Sequence, residues 1–481
     1  MKLFAANPAS GNKAGFRSGV YAAAITAAAI VLAILLNLVV RAIPSKYTEL
    51  DLSEAGLYTL SDSSEQVVQG LTQDVTIYYV AQTGNEDQII SKLLDRYAAG
   101  SSHLTWELKD PALYPTFAAQ YGAQELSSGG LIVVCGEQSK VLDASELYDY
   151  DYSDYSSTGS VNVTFDGEHQ ITAAIYQLTS GEPLHAYYTT NHGEQALTGT
   201  LTEALESQNL SVSALDLLSQ NIPEDCSLLI LNDPAQDLSG AGSLVDELGR
   251  LRSYLNNGGR LLVLTDSYDS TPNLDALLAE FGMTRTEGLV VEGDADHFLN
   301  GYSPLYLLPE YTNPMESTAL DGVNISRRVL LQMAQGITLT ETENVTSEAL
   351  LVSSEHSYSK AAGYEMATAQ KEDDDPDGPF ALAAYAQNET TGAEVIWINC
   401  GNMDNEDIYQ VVPGNVTFLQ GCAASLAGQE DAILIDSKAL EAAPLTIPGT
   451  LAAALGLGFV IVIPAAFLAV GAVVVLLRRR K

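Results

Sequence analysis

Two long uncharged runs bracket the chain: Val20–Val40 near its start and Leu451–Leu477 near its end. Between them, apolar residues come in short bursts separated by Gly, Pro and polar clusters. As a helix the first run would span about 31 Å, close to a bilayer core of roughly 30 Å. It exceeds the ~7–15 residues of a signal-peptide core, and no small-x-small cleavage site follows Val40, so an uncleaved anchor is expected. The second run carries Pro464 near its middle and Gly456, Gly458 and Gly471, a pattern that predicts a kinked membrane helix. Arg478-Arg479-Arg480-Lys481 follow it and predict a cytoplasmic C-terminus. Two spans place both ends on one side. The expected order is a cytoplasmic tail (1–19), a span (20–40), an extracytoplasmic body, a span (451–477) and a short tail (478–481).

Within the body the period switches between that of strands and that of helices. Tyr47–Leu71 is the hinge. In it Ser61 or Asp62 can cap a short helix, with Glu65 in the first turn and Val67, Val68 and Leu71 on the buried face. Val75–Val80 reads as a strand and Glu86–Tyr97 as a helix with Ile89, Leu93 and Tyr97 in phase. Leu104–Leu108 reads as a strand, Tyr114–Tyr121 as a short helix and Leu131–Val134 as a buried strand. This order predicts a thioredoxin-like α/β domain over 41–180. No C-x-x-C is present, so thiol chemistry is not implied. Residues 147–160 carry four tyrosines and three aspartates without a clear period. They read as an exposed loop, with a sticky surface or a cation site through Asp149, Asp151 and Asp154 as the functional alternatives. Asp166–Leu178 reads as a helix with Ile171, Ile175 and Leu178 in phase.

A second α/β domain is expected over 181–446. Its strands are Leu184–Thr190, Leu228–Leu231, Arg260–Thr265 and Val395–Asn399, with Val212–Leu217 as an extended piece. Its helices are Leu201–Ser207, Leu244–Leu255 (Leu244, Leu248, Leu251 and Leu255 in phase) and Phe418–Ala427. Strands alternating with helices predict a mostly parallel sheet covered on both faces. Residues 286–395 look like an elaboration, with Val290-Val291, Val329–Gln332, Ala349–Ser353 and Phe380–Tyr385 as further strands. Glu372–Asp377 begins like a calcium loop, but Pro376 intrudes and Ala384 stands where the twelfth-position Glu belongs. It reads instead as a solvated acidic loop.

Charge sharpens this picture. No Asp or Glu occurs in 1–42 or 448–481, so all 61 acids lie in the body with 22 − 8 = 14 basic residues, a net charge of 14 − 61 = −47. Such a surface repels phosphate backbones and excludes a nucleic-acid partner. Cys135, Cys226, Cys400 and Cys422 show no metal spacing. Buried thiols are the default, with a Cys400–Cys422 bridge open to an extracytoplasmic body.

There is no G-x-x-x-x-G-K-[ST], no H-E-x-x-H and no G-x-S-x-G, so no P-loop, zinc-protease or nucleophile-elbow chemistry is expected. No cofactor or metal is implied. Ligands in a parallel sheet bind beyond the carboxyl ends of its strands. Those ends carry His192, Glu194, Asp233 and Asp266, which form the candidate ligand site. Two readings of His192-Gly193-Glu194 stand side by side. The pair could bind a polar ligand or act as acid and base with Asp266, or the glycine makes a turn while the polar pair satisfies helix amides.

Several pieces resemble one family. They are Asp51-Leu52-Ser53, Leu57-Tyr58-Thr59-Leu60-Ser61, Phe165-Asp166-Gly167-Glu168 with Ile171–Ile175, Asn191-His192-Gly193-Glu194, and Tyr254-Leu255 with Gly258-Gly259 and Leu261–Asp266. Their order between two anchors is similar to that of the gliding-motility ABC-transporter auxiliary family, the GldG-like proteins. Asn191 stands where that family usually has Gly, and 286–395 matches poorly. The resemblance implies a non-catalytic, membrane-anchored bacterial subunit that sits in the lipid beside an ABC permease and a separate cytoplasmic ATPase. Its spans would pack on the permease through Asn37 and the small residues of the second span. Its body would meet a substrate, an envelope polymer or another protein. The alternatives are a membrane-anchored envelope hydrolase and a ligand-binding surface receptor.

Overall fold

The computed structural model describes residues 56–428 apart from 124–125, 127, 152–161, 195, 267, 300, 313–327, 410–411 and 413, together with 26, 30–32, 53, 435 and 437–440. Both expected spans lie outside the described residues except at 26 and 30–32. Among the described residues no helix is long and apolar enough to cross a membrane. The described chain is a mixed α/β protein with parallel and antiparallel sheets.

The first unit runs α1 (Asp62–Gln69), β1 (Val75–Val80), α2 (Gln88–Gly100), β2 (Leu104–Lys109), β3 (Leu131–Cys135), β4 (Gln138–Leu142), β5 (Tyr148–Asp151), β6 (Asn162–Phe165) and α3 (Gly167–Thr179). Ser61 caps α1 by accepting the Ser64 amide on its hydroxyl. The sheet order is β2-β1-β3-β4. β1 is parallel to β2, with Val75 opposite Leu104, and antiparallel to β3, with Val75 opposite Cys135. Alternate residues Val75, Ile77 and Tyr79 enter one core with Leu93, Leu94 and Tyr97 of α2 and Ile171 and Ile175 of α3. Burial of each such side chain contributes about 1.5–3 kcal/mol.

Two expectations for this unit change. Only Ala118–Tyr121 forms a helical turn, a 3-10 turn ended by Gly122 at φ 79°. Pro115 disfavours helical backbone at Tyr114, so the turn starts late. The 147–160 stretch begins as a strand rather than a loop, since β5 pairs with β6 and places Tyr148 opposite Phe165. The rest of that stretch, with Asp154, lies outside the described residues.

The second unit opens with β7 (Leu184–Thr189), α4 (Gly199–Ser207), β8 (Leu210–Leu215), β9 (Cys226–Asn232), α5 (Glu247–Asn256), β10 (Arg260–Leu264) and α6 (Pro272–Ala279). Short strands follow: β11 (Met283–Arg285), β12 (Leu289–Val291), β13 (Tyr306–Leu307), β14 (Glu310–Tyr311), β15 (Leu331–Gln332) and β16 (Ile337–Leu339). The unit continues with β17 (Val345–Val352), β18 (Tyr358–Lys360), β19 (Ala381–Asn388), β20 (Glu394–Ile398), α7 (Glu406–Tyr409) and α8 (Gly414–Leu426). Then β21 (Lys438–Ala439) returns to the first unit and pairs with β6.

Its large sheet has two halves. Strands β8-β7-β9-β10-β20 are parallel throughout. From β20 onward the sheet is antiparallel, through β19 to β16 and β17 and on to β11. The 286–395 region therefore supplies an antiparallel wing of the same sheet. Successive residues of β9 alternate between the two faces. Leu228 and Ile230 pack with Leu201 and Leu205 of α4 and Phe418 and Leu419 of α8. Leu229 and Leu231 pack with Leu248, Leu251 and Leu255 of α5 and Leu274, Leu277 and Leu278 of α6.

Leu244 does not join α5 and is fully exposed. Asp246 caps the helix, its carboxylate accepting the Gly249 amide at 2.8 Å, so the first turn begins at Glu247. The acidic stretch near 372–377 is not simply solvated. Buried Lys360 reaches Glu372 at 2.6 Å and Asp375 at 2.7 Å, and Lys371 pairs with Asp377. All four cysteines are free, so Cys400 and Cys422 form no bridge. Burial pushes the Cys400 thiol up to about 12.

Candidate functional site

The parallel half of the large sheet changes direction at β7. The chain goes from β7 outward to β8, then returns to β9 on the other side and proceeds to β10. The loops after β7 and β9 flank this switch point, where ligands of open α/β sheets usually bind. His192 and Glu194 lie in the first loop and Asp233 in the second. Here the two loops close on one another. The Gln236 amide donates to the His192 carbonyl at 2.7 Å, and a Cβ on Gly193 would stand 2.8 Å from that of Ala235.

The loop after β7 turns through Asn191 at φ 79° and Gly193 at φ 85°. Asn is among the few side-chain residues that visit this left-handed region readily, which accounts for Asn191 in a place suited to glycine. The turn drives the His192 ring inward, leaving it 4% exposed. Its Nδ1 lies 3.3 Å from Glu194 Oε1 and its Nε2 3.0 Å from Glu247 Oε1. Glu194 also accepts the His192 amide at 2.6 Å. Glu247, the first residue of α5, accepts the Ser239 amide at 2.9 Å and the Ser239 hydroxyl at 2.7 Å.

The Glu194 carboxylate beside it raises the His192 pKa to about 9 against the opposing effect of burial, and Glu247 adds to the rise. Burial pushes Glu194 up, yet the nearby His192 ring and amide prevail and its pKa is lowered. His192 is thus an imidazolium held between two carboxylates. Nε2 is hydrogen-bonded to Glu247 Oε2 at 3.1 Å, whereas Nδ1 faces Glu194 without a hydrogen-bond partner. The cluster ties the loop after β7 to the start of α5.

Asp233 and Asp266 form a separate group, at the ends of β9 and β10. No hydrogen bond or ion pair among the described residues joins them to His192 or Glu194. Asp233 sits at φ 58°, and a Cβ at Gly401 would come within 2.3 Å of its Oδ2. That position admits only glycine beside the carboxylate. Asp233 Oδ1 is buried without a hydrogen-bond partner. Burial first, then the charges of Asp266 and Asp269, push its pKa up to about 6, against a lowering by Arg285. Asp266 accepts the Tyr268 amide at 2.6 Å and the Tyr364 hydroxyl at 2.9 Å on Oδ1, and its carbonyl accepts Arg285 Nη1 at 3.1 Å.

Sequence reasoning missed Glu247, Ser239, Asp269 and Arg285. Glu247 carries only an acid-in-first-turn signal, and nothing in its spacing points to His192. Arg285 lies 5.6 Å from the Trp397 ring centroid and binds Asp275 at 2.8 Å. Among the described residues no group of three His, Cys, Asp or Glu side chains could hold a metal ion.

No curated protein matches this chain. Among solved structures it is similar to the mmIFT52 N-terminal domain, at 16% identity and a TM-score of 0.37, covering 50% of this chain and 96% of that one. A ThuA-like protein from Parabacteroides merdae aligns at 14% identity and a TM-score of 0.31, covering 55% and 95%. A cytoplasmic protein from Salmonella typhimurium aligns at 10% identity and a TM-score of 0.29, covering 49% and 98%. A family model described as a domain of unknown function, DUF7088, matches residues 54–141, which hold α1 to β3 and most of β4.

Proposed function

We propose that this chain is a membrane-anchored auxiliary subunit of an ABC-type transport system, of the GldG-like kind. It presents its acidic body outside the cytoplasm beside a permease, and a separate ATPase supplies the energy. One observation carries the reading. Residues 56–61 follow the first apolar run and 437–440 precede the second, and Lys438 fastens these two segments together. Its Nζ lies 2.6 Å from Glu168 Oε2 and donates to the carbonyls of Gly56 at 2.7 Å and Thr59 at 2.6 Å. Clasped entrance and exit segments fit a body held by two neighbouring anchors beside a permease. The strand order of the first sheet supports the thioredoxin-like reading of 41–180. The burial of His192 between Glu194 and Glu247 supports a structural role for that turn.

A photo-crosslinking residue at position 37 tests the docking. Adducts with a multi-span permease are expected. Adducts with lipid alone would contradict it.

A second reading draws on Asp233. A carboxyl with a raised pKa, beside a second carboxylate at strand ends, is the pattern of an acid–base or ligand-binding pair. An envelope hydrolase or a ligand-binding receptor would use it. Loss of a measurable hydrolysis or binding signal in Asp233→Asn, with His192→Gln silent, would favour this reading.

A further inference from the structure

The segment 111–123, PALYPTFAAQYGA, holds no charged residue, in a body that carries all 61 acids of the chain. Its apolar side chains are not tucked away. Leu113 is 71% and Tyr114 53% exposed, with Pro111 and Pro115 exposed beside them. The exposure is built in. The Asp110 carboxylate accepts the Ala112 amide at 2.8 Å, and the Asp110 carbonyl accepts the amides of Leu113 and Tyr114 at 3.0 and 2.8 Å. That turn holds both side chains outward. Beneath it, Phe117 packs on Tyr78 and Tyr121, with ring centroids 4.8 and 5.4 Å away.

The segment lies where the chain enters and leaves the first unit. It follows β2 at the carboxyl edge of the first sheet, and Asp110 Oδ2 accepts the Thr83 amide at 3.0 Å from the loop after β1. That loop leads into α2, where the Lys92 ammonium stands 4.7 Å from the Tyr58 ring centroid. Tyr58 belongs to the entrance segment that Lys438 clasps through Gly56 and Thr59. Entrance, exit and the uncharged segment thus share one edge. Fifteen residues (41–55) join the first apolar run to Gly56, and ten (441–450) join Leu440 to the second. Fully extended, these reach roughly 50 and 35 Å. The inference rests on the anchored reading of the two runs, under which this edge faces the bilayer.

A strongly acidic body is repelled by anionic headgroups. It can approach them only where its surface lacks acids. Leucine and tyrosine projecting from such a patch suit the lipid interface, where apolar side chains insert and aromatic rings sit at headgroup level. We propose that 111–123 is a foot that seats the first unit on the bilayer, with Leu113 and Tyr114 inserted among the lipids.

The full chain reconstituted into vesicles of phosphatidylcholine and phosphatidylglycerol tests this, with acyl chains brominated near their carbonyl ends as the quencher. Leu113→Trp adds a reporter on the foot. Thr72→Trp adds one at an exposed position before β1, at the opposite edge of the same sheet. The parent supplies the background of Trp106 and Trp397. The expected result is blue-shifted added emission from position 113, most of it lost to brominated lipid, with none lost at position 72. Equal quenching at the two positions, or none at 113, in a chain that resists alkaline carbonate extraction would overturn the foot and leave the anchors standing. Shielding of position 113 from acrylamide without quenching by lipid would also overturn it, because another protein surface would then cover the segment. Release of the parent by carbonate would overturn the anchored reading and the foot with it.

Discussion

Glu168 and Lys438 lie 270 residues apart in sequence and 2.6 Å apart in space, and their contact closes the ring of the body. Glu168 is 2% exposed at its side chain, and its other oxygen accepts the Ser61 amide at 2.6 Å and the Ser64 hydroxyl at 2.7 Å. The start of α1, the start of α3 and the segment leading to the second apolar run therefore share one carboxylate. Removing one partner of a buried pair leaves the other charged and uncompensated, a loss of about 3–5 kcal/mol.

Lys438→Met should accordingly destabilise the full chain by about 3 kcal/mol in denaturant titration. Adding Glu168→Gln should return part of that loss, because the stranded charge is removed. Equal stability of Lys438→Met and the parent would show that the clasp holds nothing.

The FDGE and NHGE steps were legible as a helix start and a turn, but not as knots. Their partners, Lys438 and Glu247, come from distant segments, and no local period encodes a long-range ion pair. The leucines of α5 were legible because Leu248, Leu251 and Leu255 keep helical phase and all are buried. Leu244 keeps the same phase yet stays outside, because Asp246 captures the Gly249 amide and starts the helix after it. Strand β4, QSKVL, was missed because three of its five residues are exposed and it shows no alternation. Alternation also cannot distinguish parallel from antiparallel pairing, so the antiparallel wing is evident only in the folded sheet.

His192 makes stability depend on pH. Its folded pKa is about 9 against an ordinary 6.5, so the folded state holds the proton more tightly. The contribution is complete below pH 6.5 and is lost as pH rises through 9. Over that interval the parent should lose on the order of 3 kcal/mol more than His192→Gln. Parallel pH–stability curves for the two proteins would refute the buried imidazolium.

Asp233 also lowers stability as pH rises, through the cost of a buried charge rather than the loss of a partner. Its pKa of about 6 exceeds the ordinary 3.8, so folding is penalised once it ionises, and stability falls as pH rises through that interval. Asp233→Asn should gain about 1–2 kcal/mol at pH 7, discounted for partial exposure, and almost nothing at pH 4. A loss of stability at pH 7 would mean that the carboxylate is held by favourable contacts.

Lys360 is predicted to hold the acidic stretch through Glu372 and Asp375. Lys360→Met should open 372–377 to limited proteolysis while the large sheet stays resistant. An unchanged cleavage pattern would assign the order of that stretch to its backbone contacts instead, such as Ser359 to the Pro376 carbonyl.

The central claim is that this chain works as one subunit of a transport assembly. Purification of the tagged full chain from membranes in mild detergent, with stoichiometry measured on the co-purifying proteins, tests it most directly. A multi-span permease and a P-loop ATPase in stoichiometric amounts are the predicted result. Recovery of the chain alone, in several detergents, would contradict the claim.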